Sequence, residues 1–302
     1  MTQTQTQAQT QTGPQTSNPT REVPTRRISF EEALRDLPKH FAEDGDIIGS
    51  HLIASLSAVF PDGEDFFVRS VRHYRDRITD PDLKRQVSGF IGQEAVHGRE
   101  HRDFNTRLAE LGYPTKRIER FTKKGLALRE RIAPPTSNLA ATAALEHFTA
   151  TLAESILGDQ RTRDMIGDET VKGLFLWHAL EESEHKAVAF DVYKAVGGTH
   201  RMRVWTMKLI RWTFVLGLAL TVVVSVAMDR DARRHPVRLW RSWRKLRSSS
   251  LLTRETWRTL KDYDRPDFHP DDRDTDELVA RWRAELFGDA GTLNDKLATR
   301  AA

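Results

Sequence analysis

A carboxylate and an imidazole three residues apart on a helix project from the same side. The chain has two such steps, Glu94-Ala95-Val96-His97 and Glu182-Ser183-Glu184-His185, each in the middle of a long helical stripe. The first stripe runs Val87, Phe90, Ile91, Glu94, His97, His101, Phe104, Leu108. The second runs Leu174, Phe175, His178, Glu182, His185, Ala189, Val192. Both are apolar at their ends and ionisable in between, so the face that must pack inward carries acid groups. A bare carboxylate inside a helical bundle costs several kcal/mol. The fold therefore has to supply these acids with a counter-charge, and the stripes contain no Lys or Arg to do so.

Chance placement of 19 Glu and 11 His would give roughly 0.7 such steps, so the weight lies in the context rather than the motif. Two helices each bearing Glu-x-x-His, with one Glu from each of two others, are the ligand pattern of dinuclear bundles. Glu64 shares a face with Phe67, Val68 and Val71 and is expected to point into the core. Glu146 has Thr142, Ala143, Thr149, Ala150 and Ala153 around it, which leaves room for a metal cluster. Its rival Glu154 lies about 80° further around the helix. Glu181 is expected beside the ligands as an orienting partner, and Glu184 is expected to face solvent. His178 shares the face of Glu182 and His185. It can be an extra ligand, a donor that orients a carboxylate, or a buried histidine. His101 is read as an outer partner of the cluster or a channel residue, and His147 as pointing elsewhere.

Cysteine is absent, which excludes thiolate zinc sites, iron–sulfur clusters, thiol nucleophiles and disulfides. Oxygen and imidazole donors suit iron, manganese or zinc. The composition offers no strand-like alternation, and an all-α fold is expected. Asp80-Pro81 starts a helix that ends near Gly112. Asn138 caps one ending near Gly158, and another runs from Glu169 to Val196 before Gly197-Gly198. Phe60-Pro61-Asp62-Gly63-Glu64 reads as a helix start. The organisation expected is a disordered Thr/Gln-rich tail over 1–27, a four-helix bundle over 28–200, an apolar helix over 201–229 and a basic helical region over 230–302. That last region has an amphipathic helix near Thr275 to Phe287.

Trp212 to Met228 carries no charge and is at the short end for a membrane span. Arginine is dense after it, from Arg230 to Arg247, and Arg201, Arg203, Lys208 and Arg211 precede it. Residues 1 to 20 show no signal-peptide pattern, so the start of the chain is expected in the cytoplasm. One crossing cannot put both basic flanks there. The segment is read as a span of the inner membrane, a membrane-surface helix or a helix buried on the bundle. No DNA-binding motif accompanies the basic run, and nucleic acid is not expected as a partner.

Four blocks together resemble a bacterial family, the predicted metal-dependent hydrolases, which are ferritin-like di-metal proteins. They are FPDGEDFF (60–67), DPDLKRQVSGFIGQEAVHGREHRDFN (80–105), ALEHFTATLAE (144–154) and WHALEESEHKAVAFDVY (177–193). The resemblance spans about residues 40 to 290 and implies a ferritin-like four-helix bundle. His178, Glu182 and His185 also resemble the last-helix triad of di-iron arylamine N-oxygenases. Carried over residue by residue, this implies Glu64, Glu94, His97, Glu146, His178, Glu182 and His185 as ligands of two divalent ions, with iron favoured. The family name implies hydrolysis by a metal-activated water. The ligand chemistry suits oxygen activation on a small organic substrate, with a separate electron donor. A non-enzymatic storage bundle at the membrane surface is the third reading.

Overall fold

A computed structural model describes residues 21–247, 249 and 253–298. The expected tail over 1–20, and parts of the basic region (248, 250–252 and 299–302), lie outside the described residues. Among the described residues the structure is helical, without a strand. The helices are α1 (Ile47–Arg72), α2 (Pro81–Glu110), α3 (Thr115–Ile132), α4 (Pro135–Gly158), α5 (Gln160–Asp164) and α6 (Glu169–His185). They continue with α7 (Val188–Ala195), α8 (His200–Met228), α9 (Arg230–Arg234), α10 (Pro236–Arg247), α11 (Arg254–Asp262) and α12 (Asp276–Phe287).

Helix α1 packs on α2 and α4 packs on α6, and the two pairs meet through α1 against α4 and α2 against α6. Their apolar side chains form two separate clusters. One holds Ile53, Phe104, Leu108, Leu157, Leu174 and Trp177. The other holds Phe66, Val71, Phe90, Leu139, Val188 and Tyr193. Glu64 and Glu94 fall in chain order between the residues that α1 and α2 give to the two clusters, and Glu182 falls between the α6 residues of the first and the α7 residues of the second. The core is thus two apolar bodies with an ionisable layer between them.

Three local expectations are corrected. The helix start at Phe60 to Glu64 is instead the interior of α1, which begins at Ile47 with the Asp46 carboxylate capping Gly49 N–H. Pro61 has no N–H, so the Ser57 carbonyl four residues earlier loses its helical donor. Asn105 Nδ2 on α2 donates to that carbonyl at 3.0 Å, which lets the helix run through the proline. Asn138 does not cap α4. The helix begins earlier at Pro135, a first-turn position that needs no N–H. The helix expected over Glu169 to Val196 breaks after His185 into α6 and α7.

The tail boundary also moves, because Arg21 to Arg27 lie against the bundle. Arg21 pairs with Asp271. The Pro24 carbonyl accepts from Gln93 Nε2, and Arg26 reaches two carboxylates beside the ionisable layer.

Helix α8 is long and apolar enough to cross a membrane, with a mean hydropathy of 2.1 over its most apolar window, of which 22% is buried. One side packs on α1 and α4 through Met207, Ile210 and Val222. Two of its N-terminal cations are engaged internally. Arg203 donates to the Tyr263 and Arg265 carbonyls, and Arg211 pairs with Asp264 at 2.9 Å. Its far end is fastened by Asp229, which accepts from Lys39 at 2.5 Å and His40 at 3.0 Å. The outward stripe of Trp205, Leu209, Trp212, Leu216, Leu220 and Val223 stays exposed.

Candidate metal centre

Each of the helices α1, α2, α4 and α6 delivers buried ionisable groups to one layer. Glu64 comes from α1, Glu94 and His97 from α2, Glu146 from α4, and His178, Glu182 and His185 from α6. All seven side chains are buried. Gly98 keeps α2 close to α1 here, since a Cβ at that position would sit 3.3 Å from Glu64 Oε2.

The atoms that face each other are metal-donor atoms. His185 Nε2 lies 3.1 Å from Glu94 Oε1, 3.3 Å from Glu146 Oε2 and 3.6 Å from Glu182 Oε1. His97 Nδ1 lies 3.7 Å from Glu182 Oε1 and 3.9 Å from Glu94 Oε2. His178 Nε2 is 3.0 Å from Glu182 Oε1 and 3.9 Å from Glu64 Oε1. Glu64–Glu94–His97, Glu94–Glu182–His185 and His97–His178–Glu182 are each compact enough to hold an ion.

Most of these atoms have no hydrogen-bond partner. Both oxygens of Glu64, Glu94 and Glu146 are buried and unpartnered, as are Glu182 Oε2, His97 Nδ1 and His185 Nε2. Among the described residues no Lys or Arg lies within ion-pair distance of Glu64, Glu94, Glu146 or Glu182. Buried polar atoms are almost always satisfied, so this concentration of orphans fits a cation bound in common.

Each imidazole is held by one nitrogen and offers the other. His185 Nδ1 donates to Gln93 Oε1 at 2.8 Å. The Gln93 amide is fixed the right way round because its Nε2 donates to Glu184 and to the Pro24 carbonyl. His97 Nε2 meets Glu181 Oε2 at 3.0 Å. His178 Nδ1 meets His101 Nε2 at 2.6 Å, and here the direction can be traced from the far end. Asn105 Nδ2 donates to the Ser57 carbonyl and to Glu119 Oε1, so Asn105 Oδ1 is the acceptor for the Ser57 hydroxyl. That hydroxyl has one proton and has spent it, so it accepts from His101 Nδ1 at 2.8 Å. Burial keeps His101 neutral, well below the usual imidazole range. Its Nε2 therefore accepts from His178 Nδ1, and His178 Nε2 is turned to Glu182 Oε1 at 3.0 Å. Partners of this kind fix ligand tautomers at metal sites.

Burial is the largest influence on the acids. It raises Glu64 and Glu94 well above the usual carboxylate range, with neighbouring carboxylates adding to it. It raises Glu146 to about 7 and Glu181 to about 8, the latter against the charge of Arg26. Burial likewise lowers His97 well below its ordinary value. Burial opposes charge on Glu182 and His185 too, but their mutual attraction wins. Glu182 is held well below, and His185 well above, their ordinary values.

Of the two α4 acids, Glu146 reaches the layer. Glu154 turns away to Arg273 at 2.7 Å and Lys186 at 3.8 Å. His147 turns away, its Nε2 donating to the Thr259 carbonyl at 2.9 Å, and takes no part. Glu184 is a correction. Expected in solvent, it is 2% exposed and gripped by Arg26 at 2.7 Å and Arg283 at 2.8 Å. Its stripe position pointed outward, but the chain's N-terminal strap and α12 cover that side. Arg26, Gln93, Ser57 and Asn105 were not singled out in the sequence. Their roles depend on long-range contacts that no local spacing records.

An all-helical protein with a buried histidine–glutamate cluster able to hold metal is the class that fold and site define. The chain belongs to the family of predicted metal-dependent hydrolases, which matches residues 24–274. Among curated proteins and solved structures nothing matches.

Two outcomes are expected. Raised carboxyl groups keep their protons until pH climbs past their pKa, so an ion must displace protons to bind. Metal affinity should rise by about tenfold or more between about pH 6 and pH 8, with proton release seen by calorimetry in two buffers. A pH-independent affinity would contradict this. Gln93→Ala and Asn105→Ala should each weaken metal binding by about 10- to 100-fold in chelator competition while circular dichroism stays unchanged.

Proposed function

We propose that this chain is a dinuclear metal enzyme built on a ferritin-like bundle. Glu64, Glu94, His97, Glu146, His178, Glu182 and His185 hold two divalent ions, iron in the first instance, with manganese or zinc as alternatives. The observation that supports this most strongly is the layer of buried, unpartnered donor atoms with, among the described residues, no Lys or Arg within ion-pair distance of its four central acids. Held by these residues, two ferrous ions would supply electrons for oxygen activation, whereas two zinc ions would supply Lewis acidity.

The protein's own groups set the conditions. Gln93, His101 and Glu181 hold the three imidazoles so that a nitrogen of each faces the carboxylates. Phe60, Phe175 and Ala179 wall the approach to His178 and Glu182 and keep it apolar. An apolar approach suits dioxygen and a small organic substrate, which favours oxygen activation with electrons from a separate donor. Hydrolysis is the second reading, and the family's description favours it.

We further propose attachment to an anionic lipid surface. The outward stripe of α8, with exposed Trp240 and Trp243 on α10, is apolar. Arg233, Arg234, Arg241 and Arg247 lie exposed beside it. Indole and arginine at the rim of an apolar face suit a headgroup layer. The inner side of α8 is packed on the bundle, which suits surface attachment better than a crossing.

Anaerobically purified protein should hold two ions per chain, and Glu94→Ala or Glu182→Ala should remove most of them. Full metal content in both variants would contradict the site. Iron-loaded protein should consume O₂. Esterase turnover by zinc-loaded protein, without O₂ uptake by the iron form, would favour hydrolysis. Bound metal with neither activity would leave a storage role. The protein should float with phosphatidylglycerol vesicles but not phosphatidylcholine ones, and high salt should release it. A stable dimer that ignores vesicles would assign the apolar face to a second copy.

A further inference from the structure

Leu52, Leu56 and Leu152 stand between two cavities and wall both of them. The inner cavity is about 80 Å³ and has His178 and Glu182 in its wall, next to Phe60 and Phe175. The outer one is about 1020 Å³ and lies between α1, α4, α8, α10 and α11. Its wall includes Phe148, Phe214, Val222 and Trp257. The two cavities adjoin at these three leucines, the inner one against the carboxylate–histidine layer and the outer one under the apolar helix.

We propose that the leucines form a neck joining the two cavities into one path, and that this path takes a long-chain amphiphile. Its unbranched hydrocarbon tail fills the outer chamber and passes the leucine neck to reach the cluster, and its anionic head rests against Arg233 and Arg254. The proposal rests on the reading of the cluster as a metal-dependent catalytic centre.

Three observations support it. First, the walls are almost wholly aliphatic and aromatic. A sugar, peptide or nucleotide would leave its polar groups unpaired there, at a cost of a few kcal/mol each. Ligand sites match their contents in this way. Second, the narrow inner cavity beyond the neck admits a slender chain end rather than a ring system. Third, Arg233 and Arg254 line the outer chamber, are exposed, and make no ion pair among the described residues. They complement an anionic head at the end away from the cluster. Thr253 and Thr256 lie in the same wall, their hydroxyls bonded to each other at 3.0 Å.

Full-length protein titrated with cis-parinarate should show saturable fluorescence enhancement at one site per chain. Palmitate should displace the probe better than laurate by about tenfold or more, because the added methylenes are buried. Leu152→Trp and, separately, Leu56→Trp fill the neck and should erase that preference while bound metal and circular dichroism stay unchanged. Arg233→Glu combined with Arg254→Glu should weaken palmitate by about tenfold and leave hexadecanol unchanged. The metal-depleted Glu94→Ala protein should still bind parinarate, so a failure of the metal reading would leave this result standing. Metal-replete protein without saturable parinarate binding would overturn the proposal. So would equal affinity for palmitate and laurate, or neck variants that keep the wild-type preference.

Discussion

Four carboxylates share one buried layer, and the rest of the molecule is arranged around that electrostatic problem. Glu64, Glu94, Glu146 and Glu182 sit between two apolar clusters and, among the described residues, have only imidazoles as close nitrogen partners. Without a cation, like charges at this separation cannot all ionise. Burial, with the neighbouring carboxylates adding to it, raises Glu64, Glu94 and Glu146, and the acids beside His185 raise its imidazole. Divalent ions replace the protons on these groups and satisfy the orphaned lone pairs together.

A second ring of groups decides how the ligands point. The Pro61 ring leaves the Ser57 carbonyl without its helical donor. Asn105 takes that place, and the direction of each following hydrogen bond is then set as far as His178. A proline inside α1 thus has a consequence one helix pair away. On the opposite side Arg26 and Arg283 neutralise Glu184, which lets Gln93 spend its amide protons on Glu184 and on the strap, and its oxygen on His185. Counter-charges of the usual kind are present, but they sit one shell outside the four central acids.

Much of this was readable from the residue pattern. The inward stripes of α2 and α6 follow from helical spacing, and so does the gathering of Glu94, His97, Glu182 and His185 at one depth. Small neighbours and a different helical face favoured Glu146 over Glu154 without deciding between them, and it is the pairing of Glu154 with Arg273 that turns it away from the layer. Three features were not readable, each for a physical reason. Phe60–Glu64 has the look of a helix start because proline favours first turns, and only a donor from α2 lets the helix continue. Glu184 looked solvent-facing because the strap of residues 21–27 lies in a segment whose composition gives no sign of packing. The tautomers of His178 and His185 depend on Ser57, Asn105 and Gln93, polar residues whose importance comes entirely from what they touch.

X-ray absorption on the iron-loaded protein tests the central claim most directly. Two ions in this layer would give nitrogen and oxygen neighbours together with a metal–metal vector at about 3.5–4 Å. A spectrum with no metal–metal scattering, or with a single six-oxygen ion, would contradict the account.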